Sequence, residues 1–239
     1  MLRKYRKPKK ENRDYWYLAF GILTAATTES LVSHVLGLVN GSLSTNQFGA
    51  ASMATLKHAH TMAYVYGAQS TGGDVQPADT VPYIDIVAKE QEEFLQGFID
   101  QLEDKDRRYV KSLEELYPDL GDEKDILARI REGGVMPPAH LPDSPNDYYD
   151  EKAIQHRMRF YNERVRGTAN WGAVDMLAPW EEIKWVDIKD ESECRDCPKL
   201  AQKEYRKDSL PTVPGAGQTE CGVFCRCELQ LLDGTVIQF

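Results

Sequence analysis

The sequence predicts a mainly α protein in which long helices are followed by a small α+β, cysteine-rich C-terminal module. Three observations carry this. Apolar residues recur at helical spacing from Tyr15 to about Met176. All five cysteines, Cys194, Cys197, Cys221, Cys225 and Cys227, lie near the C-terminal end. Two stretches alternating like strands, residues 183–188 and 227–232, flank the cysteines.

With 41% hydrophobic and 28% charged residues among 239, the chain is neither fibrous nor wholly disordered, and it can bury a core without disulfide staples. The cysteines therefore need another explanation. A net charge of −9 excludes a surface that coats nucleic acid throughout. That charge is uneven: Arg3, Lys4, Arg6, Lys7, Lys9, Lys10 and Arg13 against Glu11 give +6 in residues 1–13, leaving −15 for the rest. Residues 1–14 read as a basic N-terminal arm, suited to nucleic acid, an acidic protein or an anionic membrane, or simply solvated.

Residues 15–132 read as a helical region. In its first helix, 15–39, Leu18, Ile22, Leu31, Val35 and Leu38 share a helical spacing, and Asn40-Gly41 ends it. The preceding basic stretch raises the question of a secretory signal, but the basic region is long, Glu29 interrupts the apolar run and Thr24-Ala25-Ala26 is a weak cleavage site. Its Thr, Ser and Gly content, with Glu29 and His34, reads as a protein-packing helix and not a stable membrane span. A second helix is expected over 50–68, with Met53, Leu56, His60 and Tyr64 near one face and Ser70-Thr71-Gly72-Gly73 as its stop. Residues 74–82 read as a linker. A third begins near Ile84, with Ile86, Phe94, Phe98, Ile99 and Leu102 as its stripe, continued by Tyr109, Val110, Leu113 and Leu116. Its mixed charges read as solvated faces and imply no acid–base chemistry.

Gly133-Gly134 and the proline-rich stretch after it make 133–149 the expected linker. Residues 150–239 then form a long helix plus the cysteine-rich module. Ile154, Met158, Tyr161, Val165 and Ala169 mark the helix's buried face, while Arg157, Arg159, Arg164 and Arg166 suit a solvated one. Trp171, Trp180 and Trp185 are expected to pack the small core of the module.

Cys194-x2-Cys197 and Cys221-x3-Cys225-x-Cys227 offer thiolates in two groups, and four of the five would close a tetrahedral zinc site. Cys225 and Cys227 are so close in sequence that one of them reads as a spectator. Two disulfides with one free thiol, or reduced cysteines packed as small hydrophobes, use the same spacing. A thioredoxin-type site lacks its strand-then-helix context, although Arg195 beside Cys194 would lower a thiol pKa. Gly215-Ala216-Gly217 lacks the lysine of a phosphate loop and reads as a flexible turn. His58 and His60 point to different helix faces, and His34, His140 and His156 stand alone.

Residues 185–190, then Glu193-Cys194-Arg195-Asp196-Cys197-Pro198, Ala201, Tyr205, Asp208-Ser209-Leu210-Pro211, Pro214-Gly215-Ala216-Gly217, Thr219, Cys221 and Cys225-Arg226-Cys227, follow a recognisable order. This order resembles the minor head proteins of tailed bacteriophages, the phage head morphogenesis family. Arg166-Gly167-Thr168-Ala169-Asn170 resembles the end of their long helix, and the likeness covers roughly residues 150–232. The resemblance implies a virion component at the portal vertex, assembled in the host cytoplasm and acting in head assembly, genome packaging or ejection. Its partners would be the portal and/or major capsid protein, with packaged DNA on the basic arm; no catalysis and no small-molecule substrate are implied. Many such proteins carry His-Pro where this chain has Thr219-Glu220-Cys221, so either Cys221 takes the fourth ligand position or the metal is absent.

Two other classes use the same residues. A zinc-dependent hydrolase would place bound water among the cysteines, against which an all-thiolate set argues. A membrane-active ejection protein would insert the 15–39 helix into a bilayer.

Overall fold

The computed structural model describes residues 10–39, 42–116, 151–188, 194–237 and 239, with side chains from residue 14 onward except 102–116 and 151–153. The protein is mainly α with a small α+β C-terminal module. Among the described residues the helices are α1 (Lys10–Val39), α2 (Thr45–Ser70), α3 (Val81–Leu116), α4 (Glu151–Asp175) and the short α5 (Cys197–Leu200). The strands among these residues are β1 (Glu182–Val186), β2 (Glu204–Arg206) and β3 (Glu228–Leu231). Backbone contacts group the chain into two units: Met1–Thr28, Leu56–Val87 and Arg159–Phe239 in one, Glu29–Thr55 and Ala88–Met158 in the other. The linker expected over 133–149 lies outside the described residues.

In the first unit, α2 and α4 meet along small residues. A Cβ on Gly67 would overlap the carbonyl of Ala169, and one on Gly172 would overlap that of Tyr64. Ala59, Ala63, Ala169 and Ala173 complete a fully buried seam. Such contact lets backbones approach, and it is fixed by polar pairs: Tyr64 Oη donates to Asp175 Oδ2 at 2.5 Å, and Thr71 Oγ1 donates to the Ala173 carbonyl at 3.0 Å. Burial and then that aspartate push the Tyr64 phenol up. The α2 end follows its predicted stop, with Gly72 at φ 86°.

In the second unit, Ser44 caps α2. Its hydroxyl accepts from the Gln47 amide at 3.3 Å, while Gln47 Oε1 accepts from the Ser44 amide at 2.9 Å. Phe48, fully buried, meets Phe98 with ring centroids 6.5 Å apart, and Leu31, Val35, Leu95 and Ile99 are buried in this unit too.

The α4 stripe is as predicted: Ile154, Met158, Tyr161, Val165 and Ala169 are all buried. Other expectations change. Leu18 and Ile22 are 66% and 63% exposed, so of the expected α1 stripe Leu31 and Val35 are buried and Leu38 is half-buried. Ile86 and Phe94 are also exposed; α3 buries Ile84, Val87, Gln91 and Leu95 instead, because the phase of its apolar face differs by one position from the spacing of the bulkiest residues. Residues 74–82 are only partly a linker, since Pro77–Thr80 form a 3-10 turn and Pro82 sits in the first turn of α3, where its missing N–H costs nothing. Arg164 is buried and Arg166 half-buried, not solvated, because both face the side of α4 that packs. Trp180 is 66% exposed and lies outside the core.

The module is an antiparallel sheet of order β2-β1-β3. Ile183 pairs with Tyr205 and with Leu231, and Trp185 with Leu229, so alternate β1 residues reach one face. Ile183, Trp185 and Leu229 are fully buried there, with Leu177, Leu210, Val213, Cys225 and Cys227. Strand β2 carries no alternating signal because it is only three residues long.

Candidate metal centre

Three segments carry the cysteines. Cys194 precedes a turn and Cys197 opens α5, whose first turn Pro198 tolerates without losing a hydrogen bond. Cys221 stands before the 3-10 turn Gly222–Phe224, where Gly222 at φ 58° reverses the chain. Cys225 is extended (φ −58°, ψ 119°) and leads into β3, so Cys225 and Cys227, two apart, project to the same side.

Side chains outside the cysteines stitch these segments together. Asp196 Oδ2 accepts from the Glu220 amide at 3.0 Å, and Glu220 Oε2 accepts from the Arg195 amide at 2.7 Å. The Glu220 amide and then Lys199 hold the Asp196 carboxyl below its usual value. From α4, Arg166 donates to the carbonyls of Val223 and Cys225, at 3.3 and 2.5 Å. A Cβ on Gly167 would overlap Gly215, and Asn170 Nδ2 donates to the Pro214 carbonyl at 2.8 Å. Gly215 and Gly217 both adopt φ 81°, so the Gly-Ala-Gly stretch is a tight packing turn and not merely a flexible one.

All five thiols are free and clustered. Cys197 Sγ lies 3.1 Å from Cys194 Sγ, 3.6 Å from Cys221 Sγ and 3.7 Å from Cys225 Sγ. Two groups of three thiols, Cys194, Cys197 and Cys221, and Cys197, Cys225 and Cys227, have all their sulfurs within 4.8 Å of one another. Cys197 belongs to both. Tetrahedral metal–sulfur bonds of ~2.3 Å place ligand sulfurs ~3.8 Å apart, close to the longer of these separations. The cluster can bind a metal ion, with soft thiolate donors and a cleft of about 30 Å³ lined by Cys194, Cys197, Cys221 and Cys227 with Ile188 and Phe224.

The electrostatics divide the thiols. Cys225 lies far above the usual thiol value through its contact with Cys227 and its burial, and burial with Cys194 does the same to Cys197. Cys227 is pulled down to about 5: Cys225 favours its thiolate most, burial opposes, and the Ile188 amide, Cys197 and the Trp185 indole add to it. Burial works against the Cys194 thiolate, but contacts with Cys197, Cys221 and Asp196 outweigh it and lower its pKa. Trp185 Nε1 is buried and meets no acceptor at full hydrogen-bond geometry, leaving a donor beside the cluster for a negatively charged sulfur. Thr219 Oγ1 lies 3.2 Å from Cys221 Sγ.

The structure thus gathers all five predicted cysteines. Arg195 pairs with Glu220 at 3.7 Å rather than with a thiol. Arg3, Lys4, Arg6, Lys7 and Lys9 lie outside the described residues; Lys10 and Arg13 are helical in backbone, with their side chains outside the described ones. Sequence reasoning missed Asp196, Glu220, Arg166 and Trp185 as supports. Asp196 and Glu220 stand beside cysteines, which is a usable signal; Arg166 opens the Arg166-Gly167-Thr168-Ala169-Asn170 stretch, but its carbonyl partner lies far along the chain and no local spacing names it. His60 is fully buried, with Nδ1 2.7 Å from Thr168 Oγ1, and takes no part in the cluster. No family model, curated protein or solved structure matches the chain.

Proposed function

We propose that this protein is a structural minor head protein of a tailed bacteriophage, bound to the portal and/or major capsid protein at the portal vertex and acting in head assembly, genome packaging or ejection. One observation supports this reading above the rest: the segments that carry the resemblance pack on one another. Arg166 binds the Cys225 carbonyl, Gly167 abuts Gly215 and Asn170 binds the Pro214 carbonyl. A string of motif residues that holds one module together is what a structural role needs, and each of these contacts is of a packing or hydrogen-bonding kind. Zinc is the ion the all-thiolate donors suit, with four of the five cysteines as a closed structural site. The basic arm would lie on packaged DNA or on an acidic neighbouring subunit.

Mass spectrometry of purified particles made by the phage that encodes this chain should find it in the head. Deleting its gene should give heads that lack DNA or do not infect, and deleting residues 1–13 should lower DNA content. A chain absent from particles, with plaque formation untouched by its deletion, would refute the proposal.

A second reading, a membrane-active ejection protein, draws on α1. Residues Asp14–Leu38 are long and apolar enough to cross a bilayer, and Tyr15, Leu18 and Ile22 are exposed on this helix. Dye release from anionic vesicles by the full-length protein would favour it; intact vesicles at saturating protein would remove it.

A further inference from the structure

We propose that Cys194 and Cys197 form a peroxide-oxidised dithiol whose disulfide withdraws two ligands from the metal centre and releases its ion. The proposal rests on the metal-binding reading above and adds a modification site to it.

Three features single out this pair. Their sulfurs lie 3.1 Å apart, closer than those of Cys197 and Cys221 or of Cys197 and Cys225, and a turn with two intervening residues allows a bridge without disturbing the sheet. Cys225 and Cys227 instead have a single residue between them on extended backbone leading into β3, which pairs with β1; bridging them would distort that strand entry. Cys194 is only partly buried and lines the cleft with Ile188, Phe224 and Arg226, so a molecule little larger than water can reach it. Finally, Cys197 is the thiol that both three-thiol groups share. Losing it breaks both groups at once, leaving Cys221 on one side and Cys225 with Cys227 on the other, fewer than the four donors of a closed site.

The chemistry balances with hydrogen peroxide as oxidant. The Cys194 thiolate attacks one peroxide oxygen; the O–O bond breaks, an S–O bond forms, and hydroxide leaves. The Cys197 thiolate then attacks the Cys194 sulfur, forming the S–S bond as the S–O bond breaks and a second hydroxide departs. Two solvent protons convert the hydroxides to water. The thiolates lose two electrons, the peroxide gains them, and the divalent ion departs with its oxidation state unchanged.

Full-length protein, reduced and loaded with zinc under anaerobic conditions, is first assayed for zinc content and then titrated with hydrogen peroxide. Zinc release is followed with a chromogenic chelator, and disulfides are mapped by mass spectrometry after alkylation. The expected result is one ion released for each Cys194–Cys197 disulfide, with the other three cysteines alkylated and uptake restored by dithiothreitol. Cys194→Ser is expected to bind zinc more weakly, and the zinc it holds, normalised to its own initial content, should be released roughly tenfold more slowly or worse under peroxide. Zinc retained despite that disulfide, or released with a Cys225–Cys227 bridge or with sulfinic acids alone, would overturn the proposal. Reduced protein that takes up no zinc would instead overturn the metal reading beneath it.

Discussion

The Arg166 guanidinium, on α4, donates to the backbone carbonyl of Cys225 at 2.5 Å, tying the long helix to the segment that presents two of the five thiols. Arg166 also lies 3.4 Å from Glu163, one turn earlier, so its fork is held from both sides. Shortening it frees the loop. Arg166→Ala should cost about 1–3 kcal/mol, the range for a buried acceptor left without its charged donor, and weaken zinc about 10- to 100-fold, as losing an outer hydrogen-bonding partner does. Urea unfolding and chelator competition would read the two effects; a change in stability with unaltered affinity would show that Arg166 supports the fold alone.

Cys197 stands in both three-thiol groups, whereas each other cysteine stands in one. Cys197→Ser should therefore lower zinc affinity more than any other single Cys→Ser substitution, beyond the about 10- to 100-fold of an outer-sphere loss. Competition titrations on the five single variants would test the ranking. Equal losses at all five positions would mean that the ion ignores the shared sulfur.

The seam between α2 and α4 gives an opposed pair of glycine substitutions. Gly67→Ala drives a methyl into the Ala169 backbone and should cost about 1–3 kcal/mol or more, because two helix backbones must separate. Gly97, in α3, has open space around the position of its Cβ, so Gly97→Ala should gain roughly 0.5–1 kcal/mol from helix propensity. Thermal melts falling in the first variant and rising in the second would bear this out.

His60 makes stability depend on pH. Burial and then the Arg164 charge lower its pKa from 6.5 to about 3 in the folded chain. Below pH 6.5 the unfolded chain binds a proton that the folded chain refuses, so stability falls as the pH drops toward 3; above 6.5 both states are neutral and the effect vanishes. The slope is about 1.4 kcal/mol per pH unit from this one group. His60→Gln, which retains a polar partner for Thr168, should flatten the dependence of urea-unfolding stability on pH below neutrality. An unchanged slope in that variant would show that His60 does not carry it.

Several features were legible because they are local. Helix α4 reads directly, since Ile154, Met158, Tyr161, Val165 and Ala169 combine strict spacing with full burial. The α2 stop reads from Ser70 through Gly73, and the cysteine groups from spacing alone. Helices α1 and α3 misled for one reason. Leu18, Ile22, Ile86 and Phe94 are large and apolar, yet the packed faces are offset from them and run through Thr27, Leu31 and Val35 in α1 and through Ile84, Val87, Gln91 and Leu95 in α3. Where large apolar residues stand on both sides of a helix and polar residues enter the packed side, side-chain size no longer marks the buried face.

The sequence by itself determined that the chain is mainly helical, that its strands are few and short, and that five thiols sit within reach of one another along the chain. These properties follow from periodicity, glycine stops and spacing. Tertiary structure alone decided that Cys197 is the shared sulfur, that Asp196 and Glu220 bind the two cysteine segments together, and that Arg166 leaves solvent for the Cys225 carbonyl. Each of these pairs residues distant in sequence. Contacts between distant residues are set by how helix and sheet surfaces fit once buried, and no window of neighbouring residues contains that information.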